Sequence, residues 1–103
     1  MKNEVNKEYT LNLGDELDVR EPSLLRVLVH KDDFTPREFV VKVLEMFFYM
    51  SRQKAVEVMM EAQIKGKAIC GIFSKDFAEA KVSQIEEYAR ENEHPLLCSS
   101  EVA

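Results

Sequence analysis

The stretch that decides the fold is Val27-Leu28-Val29-His30-Lys31-Asp32-Asp33-Phe34-Thr35-Pro36-Arg37-Glu38-Phe39. It reads as the end of a strand, an acidic corner and a helix start. Leu24 to Val29 is aliphatic and partly β-branched, the composition of a buried strand. Asp32 and Asp33 interrupt it, because short carboxylates hydrogen-bond nearby backbone groups and favour turns. A helix-opening signal follows. Thr35 can cap, Pro36 suits the first helical position through its fixed φ, and Glu38 can reach back to the N–H of the cap. Such a corner fixes where polar side chains point relative to both flanking elements, so a binding site is expected here.

Downstream of the corner, Val40, Val43, Leu44 and Phe47 recur at helical spacing, which predicts a helix from Pro36 to about Tyr49. Phe39, Met46 and Phe48 widen its apolar stripe, as packing on more than one neighbour requires. Ser51 is placed to cap a second helix, about Arg52 to Lys65, with Ala55, Val58, Met59 and Ala62 inward. Gly66 supplies a left-handed stop, and Lys65 sits favourably at the negative helix end. The continuous apolar run Ala68 to Phe73 reads as a central strand. Ser74 opens a third helix with Asp76 in its first turn and Ala78, Val82, Ile85 and Ala89 inward. Helical geometry is disfavoured before Pro95, so His94-Pro95 should end it. Leu96 to Ser99 reads as a final strand. The order βααβαβ predicts an α+β fold, a small open-faced α/β sandwich with a three-stranded sheet and helices on one face.

Upstream, residues 1–22 lack a sustained apolar period and read as a flexible, disordered acidic tail, which leaves 23–103 as the one folded domain. A chain of 103 residues supports one core and no second domain. Its first ten residues contain no apolar run of the secretory kind and no stretch approaches a membrane span, so a cytoplasmic protein without membrane association is expected. The charge is −5 overall; residues 1–21 hold three cations against six carboxylates, leaving −2 for the remainder. Such a surface repels phosphate, so nucleic acid is not an expected partner.

Chemistry-bearing residues are scattered. Asp32 and Asp33 are adjacent at a turn, where neighbours tend to point apart, and a catalytic pair would also need a partner or metal within reach. Cys70, Cys98, His30 and His94 lack the usual short zinc-ligand spacings, and both cysteines sit in apolar runs as core thiols would. There is no Gly-rich phosphate loop. No enzyme activity, metal or cofactor is expected. What remains is a recognition pocket beside the corner, walled by the two helices that follow it.

Three blocks carry a resemblance. Lys31-Asp32-Asp33-Phe34-Thr35-Pro36-Arg37-Glu38-Phe39 resembles the Asn-Asp-Asp-Tyr-Thr-Pro-Met-Glu-Phe corner of the ClpS adaptors of the bacterial Clp protease. Gly66-Lys67-Ala68-Ile69-Cys70-Gly71-Ile72-Phe73 and Tyr88-Ala89-Arg90-Glu91-Asn92-Glu93-His94-Pro95-Leu96-Leu97-Cys98 match in the same order and spacing. The resemblance implies a non-enzymatic adaptor that docks on the N-terminal domain of a ClpA- or ClpC-type ATPase and delivers N-degron proteins, whose bulky first residue enters an apolar cavity. It places Thr35, Val40, Val43, Met59, Ala62 and Leu96 in that cavity, and Asp32, with Asp33 beside it, near the α-ammonium of the substrate. It also marks three departures: Lys31 stands for an Asn acceptor, Gln63 for a His acceptor, and Arg37 for a gatekeeping Met. Weakened or altered recognition of substrate N-terminal residues is therefore expected. Asp76 and Lys81 occupy the positions that meet the ATPase. The flexible extension would take part in handing over substrate, and a monomer is expected. A modulator that binds the ATPase without cargo, and a recruitment module like the ribosomal stalk domain, are the alternative readings.

Overall fold

The computed structural model describes residues 24–103, so the expected tail over 1–22 lies outside the described residues. The elements run β1 (Leu24–His30), α1 (Arg37–Phe48), α2 (Arg52–Lys65), β2 (Lys67–Ser74), α3 (Lys75–Glu91) and β3 (Cys98–Val102). The sheet is antiparallel throughout, in the order β2-β1-β3. The βααβαβ reading therefore holds, with one correction to the strand order. The central strand is β1, and the run Ala68 to Phe73 lies on an edge. Only Ala68 of that run is fully buried, and among the described residues no strand pairs with the other edge of β2.

Strand pairing explains which residues are inside. Val27 faces Gly71 and Ser100, and Val29 faces Ala68 and Cys98, on the side covered by helices. The register slips between Val27 and Leu28 so that Cys70 has no opposite residue, a bulge in β2. Gly71 follows the bulge, where any side chain would run into the Phe73 ring. One continuous core joins Val27 and Val29 to Val41, Val43 and Leu44 of α1, Ala55 and Val58 of α2, and Ala78, Ile85 and Ala89 of α3. Leu44, Ile85, Val27, Val41 and Val43 are its largest fully buried side chains. Each contributes about 1.5–3 kcal/mol by leaving water.

The helix ends follow the sequence in part. Ser51 Oγ accepts from Lys54 N–H at 3.1 Å and Ser74 Oγ accepts from Phe77 N–H at 3.4 Å, the two expected caps. Gly66 takes φ +94°, and its N–H donates to the Ala62 carbonyl. Thr35, in contrast, does not cap α1. The cap position is Pro36, without a side-chain bond, because the Thr35 hydroxyl is spent on Asp32. Glu38 does not reach back either; it receives both guanidinium nitrogens of Arg52 at 2.6 and 2.8 Å. The last strand starts two residues later than expected and runs on to Val102. Its polar Ser99, Ser100 and Glu101 hide it in a pattern reading, although Glu101 is anchored by Arg26 across the sheet at 2.7 Å.

Cys98 is buried in this core, and Cys70 is half-buried beside it. Burial pushes the Cys98 thiol up to about 12, with the Glu86 carboxylate adding to the effect. The Cys70 thiol is raised further, again mainly by burial. A raised thiol favours the neutral form in the folded state. Its contribution to stability is intact below pH 9 and is lost as pH rises from there toward 12. Iodoacetamide at pH 8 is expected to leave Cys98 unmodified in the native protein and to label it quickly in denaturant, as read by intact mass. Gly66→Ala is expected to cost about 1 kcal/mol in urea unfolding, because the space around it is open and only the left-handed backbone resists.

Candidate functional site

Backbone hydrogen bonds bring three segments to one point at the end of β1. His30 N–H donates to the Leu97 carbonyl at 3.0 Å, and Lys31 N–H donates to the Gly66 carbonyl at 2.8 Å. The corner is thereby tied to the C-terminal end of α2, which carries Gln63, and to the loop that carries Leu96. Asp32 then closes a tight local turn. One carboxylate oxygen accepts from Phe34 N–H at 2.9 Å, and the other accepts from the Thr35 hydroxyl. The carboxylate is half-buried and fixed in direction by both bonds. Phe34 is left outside, 82% exposed, at the tip of the turn.

Lys31 and Asp33 form a pair of their own. Lys31 Nζ donates to Asp33 Oδ1 at 2.6 Å, and both side chains are open to solvent. That bond, and the charge beside it, hold the Asp33 carboxyl below its usual range. The pair persists at neutral pH and is lost as pH falls through the depressed Asp33 value. At this distance the Lys31 charge is paired with Asp33. Arg37, the first residue of α1, is exposed.

The expected cavity residues come together. Val40, Val43, Met59, Ala62 and Leu96 belong to one packed cluster, and Thr35 is buried as well. Their exposures separate them into two groups. Val43 is 1% exposed, like the deep core, whereas Met59, Val40, Leu96 and Thr35 keep 7, 6, 5 and 5%. Apart from Leu25, these four are the most solvent-touched of the buried residues. Of this set, Thr35 is the one bonded to Asp32, through its hydroxyl.

Asp76 and Lys81 lie elsewhere, on α3. Asp76 is exposed in the first turn. Lys81 makes no ion pair with it. Instead its Nζ lies 5.3 Å from the Phe77 ring centroid and 5.8 Å from those of Phe47 and Tyr49. Sequence reading missed this aromatic surround. The signal available was the run Phe47-Phe48-Tyr49 at a helix end, with one more aromatic than the core can absorb. A second feature missed is an open groove of about 550 Å³ lined by Glu86, Arg90, Glu93, His94, Pro95 and Leu96. It forms because Glu93 turns the chain with φ +61° and the His94 ring packs edge-on against Phe39 at 4.4 Å.

Among the described residues, no three metal-ligating side chains gather and no helix is long and apolar enough to cross a membrane. A directed carboxylate beside an apolar wall, on a small three-stranded sheet layered with helices, defines a recognition module. Comparison with known proteins agrees with this class. The family model "ATP-dependent Clp protease adaptor protein ClpS" matches residues 20–99. An ATP-dependent Clp protease adapter protein ClpS from Vibrio cholerae serotype O1 is 43% identical over 99 residues, covering 96% of this chain and 93% of the relative. The ClpS of Methylococcus capsulatus is 52% identical over 85 residues, covering 82% and 80%. A solved structure of Agrobacterium tumefaciens ClpS2 bound to L-phenylalaninamide superposes with a TM-score of 0.78 at 36% identity, covering 81% of this chain and all of that one. The chain belongs to the ClpS family, adaptors of the ATP-dependent Clp protease and not enzymes.

The Asp32–Thr35 bond is the joint on which the corner rests. Thr35→Val keeps the shape and removes the donor, leaving one carboxylate oxygen unsatisfied. It is expected to lower unfolding free energy by about 1–2 kcal/mol, read from the guanidinium midpoint at constant slope.

Proposed function

We propose that this adaptor receives the first residue of N-degron proteins against the wall of Val40, Met59, Ala62, Thr35 and Leu96, with Asp32 accepting from the free α-ammonium. The observation that carries this reading is the Asp32 carboxylate, fixed by the Phe34 N–H and by the hydroxyl of the buried Thr35. The related ClpS2 was solved with L-phenylalaninamide, a molecule that has a free amine and a bulky aromatic side chain, as the start of such a protein would. A side chain of that kind gains about 1.5–3 kcal/mol on burial, while its ammonium needs acceptors. Asp32 retains free lone pairs for that purpose, and Gln63 keeps a carbonyl acceptor on the neighbouring end of α2.

Recognition at this mouth is altered by Lys31. Two cations at ~4 Å repel by ~1 kcal/mol in water and ~4 kcal/mol when partly buried. The Lys31–Asp33 bond at 2.6 Å compensates part of that charge in a solvent-exposed setting, so the low end of the range applies. Arg37 adds a second cation at the rim, outside the wall. Asp76 and Lys81 form the docking surface for the N-terminal domain of a ClpA- or ClpC-type ATPase, and the protein acts in the cytoplasm as a monomer with residues 1–22 as its tail and 23–103 as its core.

A panel of labelled peptides differing only in the first residue tests the cargo reading by fluorescence anisotropy. Peptides beginning with Phe or Leu are expected to bind, their N-acetylated forms are not, and Lys31→Asn is expected to tighten binding about fivefold. Equal binding of free and acetylated peptides, or none by either the native chain or the variant, would favour a modulator that occupies the ATPase without cargo.

A further inference from the structure

We propose that the segment Tyr9-Thr10-Leu11-Asn12-Leu13 of this same chain docks on the outer edge of β2 as a further strand of the sheet. The argument of the fold starts from the sheet face that the helices leave open. There Leu28 of the central strand lies opposite Ile69 and Ser99, and Arg26 lies opposite Ile72 and Glu101. Leu28 is shielded by its neighbours, whereas Ile69, Ile72 and Leu24 are 49, 53 and 57% exposed. Residues three apart in a regular strand point to opposite faces, but the bulge at Cys70 returns Ile72 to the side of Ile69. An apolar row thus runs along β2, and among the described residues no strand pairs with its outer edge. Long edges are usually guarded by charges or Pro within the strand. Ala68 to Ser74 contains neither.

The occupant follows from pattern, charge and length. Tyr9, Leu11 and Leu13 alternate with Thr10 and Asn12, the period of a strand with one apolar side. Laid beside β2, the segment sets those three side chains against Ile69 and Ile72 as cross-strand neighbours. β2 is flanked by Lys67 and Lys75, both exposed and neither in an ion pair among the described residues. The segment is flanked by Glu8 on one side and by Asp15 and Glu16 on the other, so anions meet cations at both ends. The outer edge of β3 fits less well, because Ser99, Ser100 and Glu101 offer no apolar row and add an anion. The connection selects the direction. A strand beyond β2 lies about 10 Å from β1, two strand spacings. Parallel to β2, the segment ends beside Ser74, the partner of Leu24, and residues 14–23 have only that gap to cross. Antiparallel, they must also return the length of β2, ~26 Å, close to their full reach of ~33–36 Å. Because both partners belong to one chain, the segment meets the edge at high effective concentration.

The test uses the full chain in solution, labelled at the Leu and Ile methyls and at backbone nitrogen. Nuclear Overhauser contacts are expected from the Leu11 or Leu13 methyls to those of Ile69 or Ile72, with strand-like chemical shifts over residues 9–13. In the double variant Leu11→Asp, Leu13→Asp, the outward amides of β2 are expected to exchange with deuterium at least tenfold faster. The amides of β1, paired on both sides, should keep their rates within threefold. Ile72→Lys, on the exposed face, should release the segment from the other side and return residues 9–13 to random-coil shifts. Random-coil shifts there in the native chain overturn the proposal, as does equal exchange at β2 in the native chain and the double variant. Protection of β2 that rises with protein concentration and survives in the double variant would assign the edge to a second copy and also overturn it.

Discussion

Two backbone hydrogen bonds at the end of β1 govern the geometry of this molecule. His30 and Lys31 donate on opposite sides of the central strand, one to Leu97 and the other to Gly66. A strand with partners on both sides cannot shift without breaking both ladders. The corner that follows is therefore set against the ends of α2 and of the loop before β3. The Asp32 turn adds direction, because both carboxylate oxygens are engaged by groups only two and three residues away. Recognition of a chain terminus needs a rigid acceptor, and this joint fixes one from segments far apart in sequence.

Much of this was legible before any coordinates. The helices announced themselves by spacing, Ser51, Ser74 and Gly66 by the chemistry of helix ends, and the corner by its paired aspartates. Strand order was not legible. A continuous apolar run suggests a central strand, but Ala68–Phe73 owes its character to a bulge and to aromatic packing of Phe73 on the helices. The true centre, β1, carries Arg26 and His30 on its open face, where Glu101 and Ser99 satisfy them. Cross-strand partners so distant in sequence leave no local signal.

The corner shows the same limit at smaller scale. Thr-Pro-x-Glu has the form of a capped helix start, yet both polar side chains are taken by other partners. Thr35 turns back to Asp32, and Glu38 is drawn to Arg52, whose two-pronged guanidinium offers a better geometry than a single backbone N–H. A pattern states what a residue can do; competition among partners decides what it does. Lys31 is a further case. The resemblance implies a cation near a substrate ammonium, and only the structure reveals that Asp33 holds it.

The central claim is that an N-terminal amino acid is received at the Asp32 corner. Titration of the ¹⁵N-labelled protein with L-phenylalaninamide, followed by amide chemical shifts, addresses it most directly. The account predicts saturable shifts confined to Asp32, Thr35, Val40, Ala62, Gln63 and Leu96. Shifts centred instead on the Arg90 and His94 groove, or none at millimolar ligand, would contradict it.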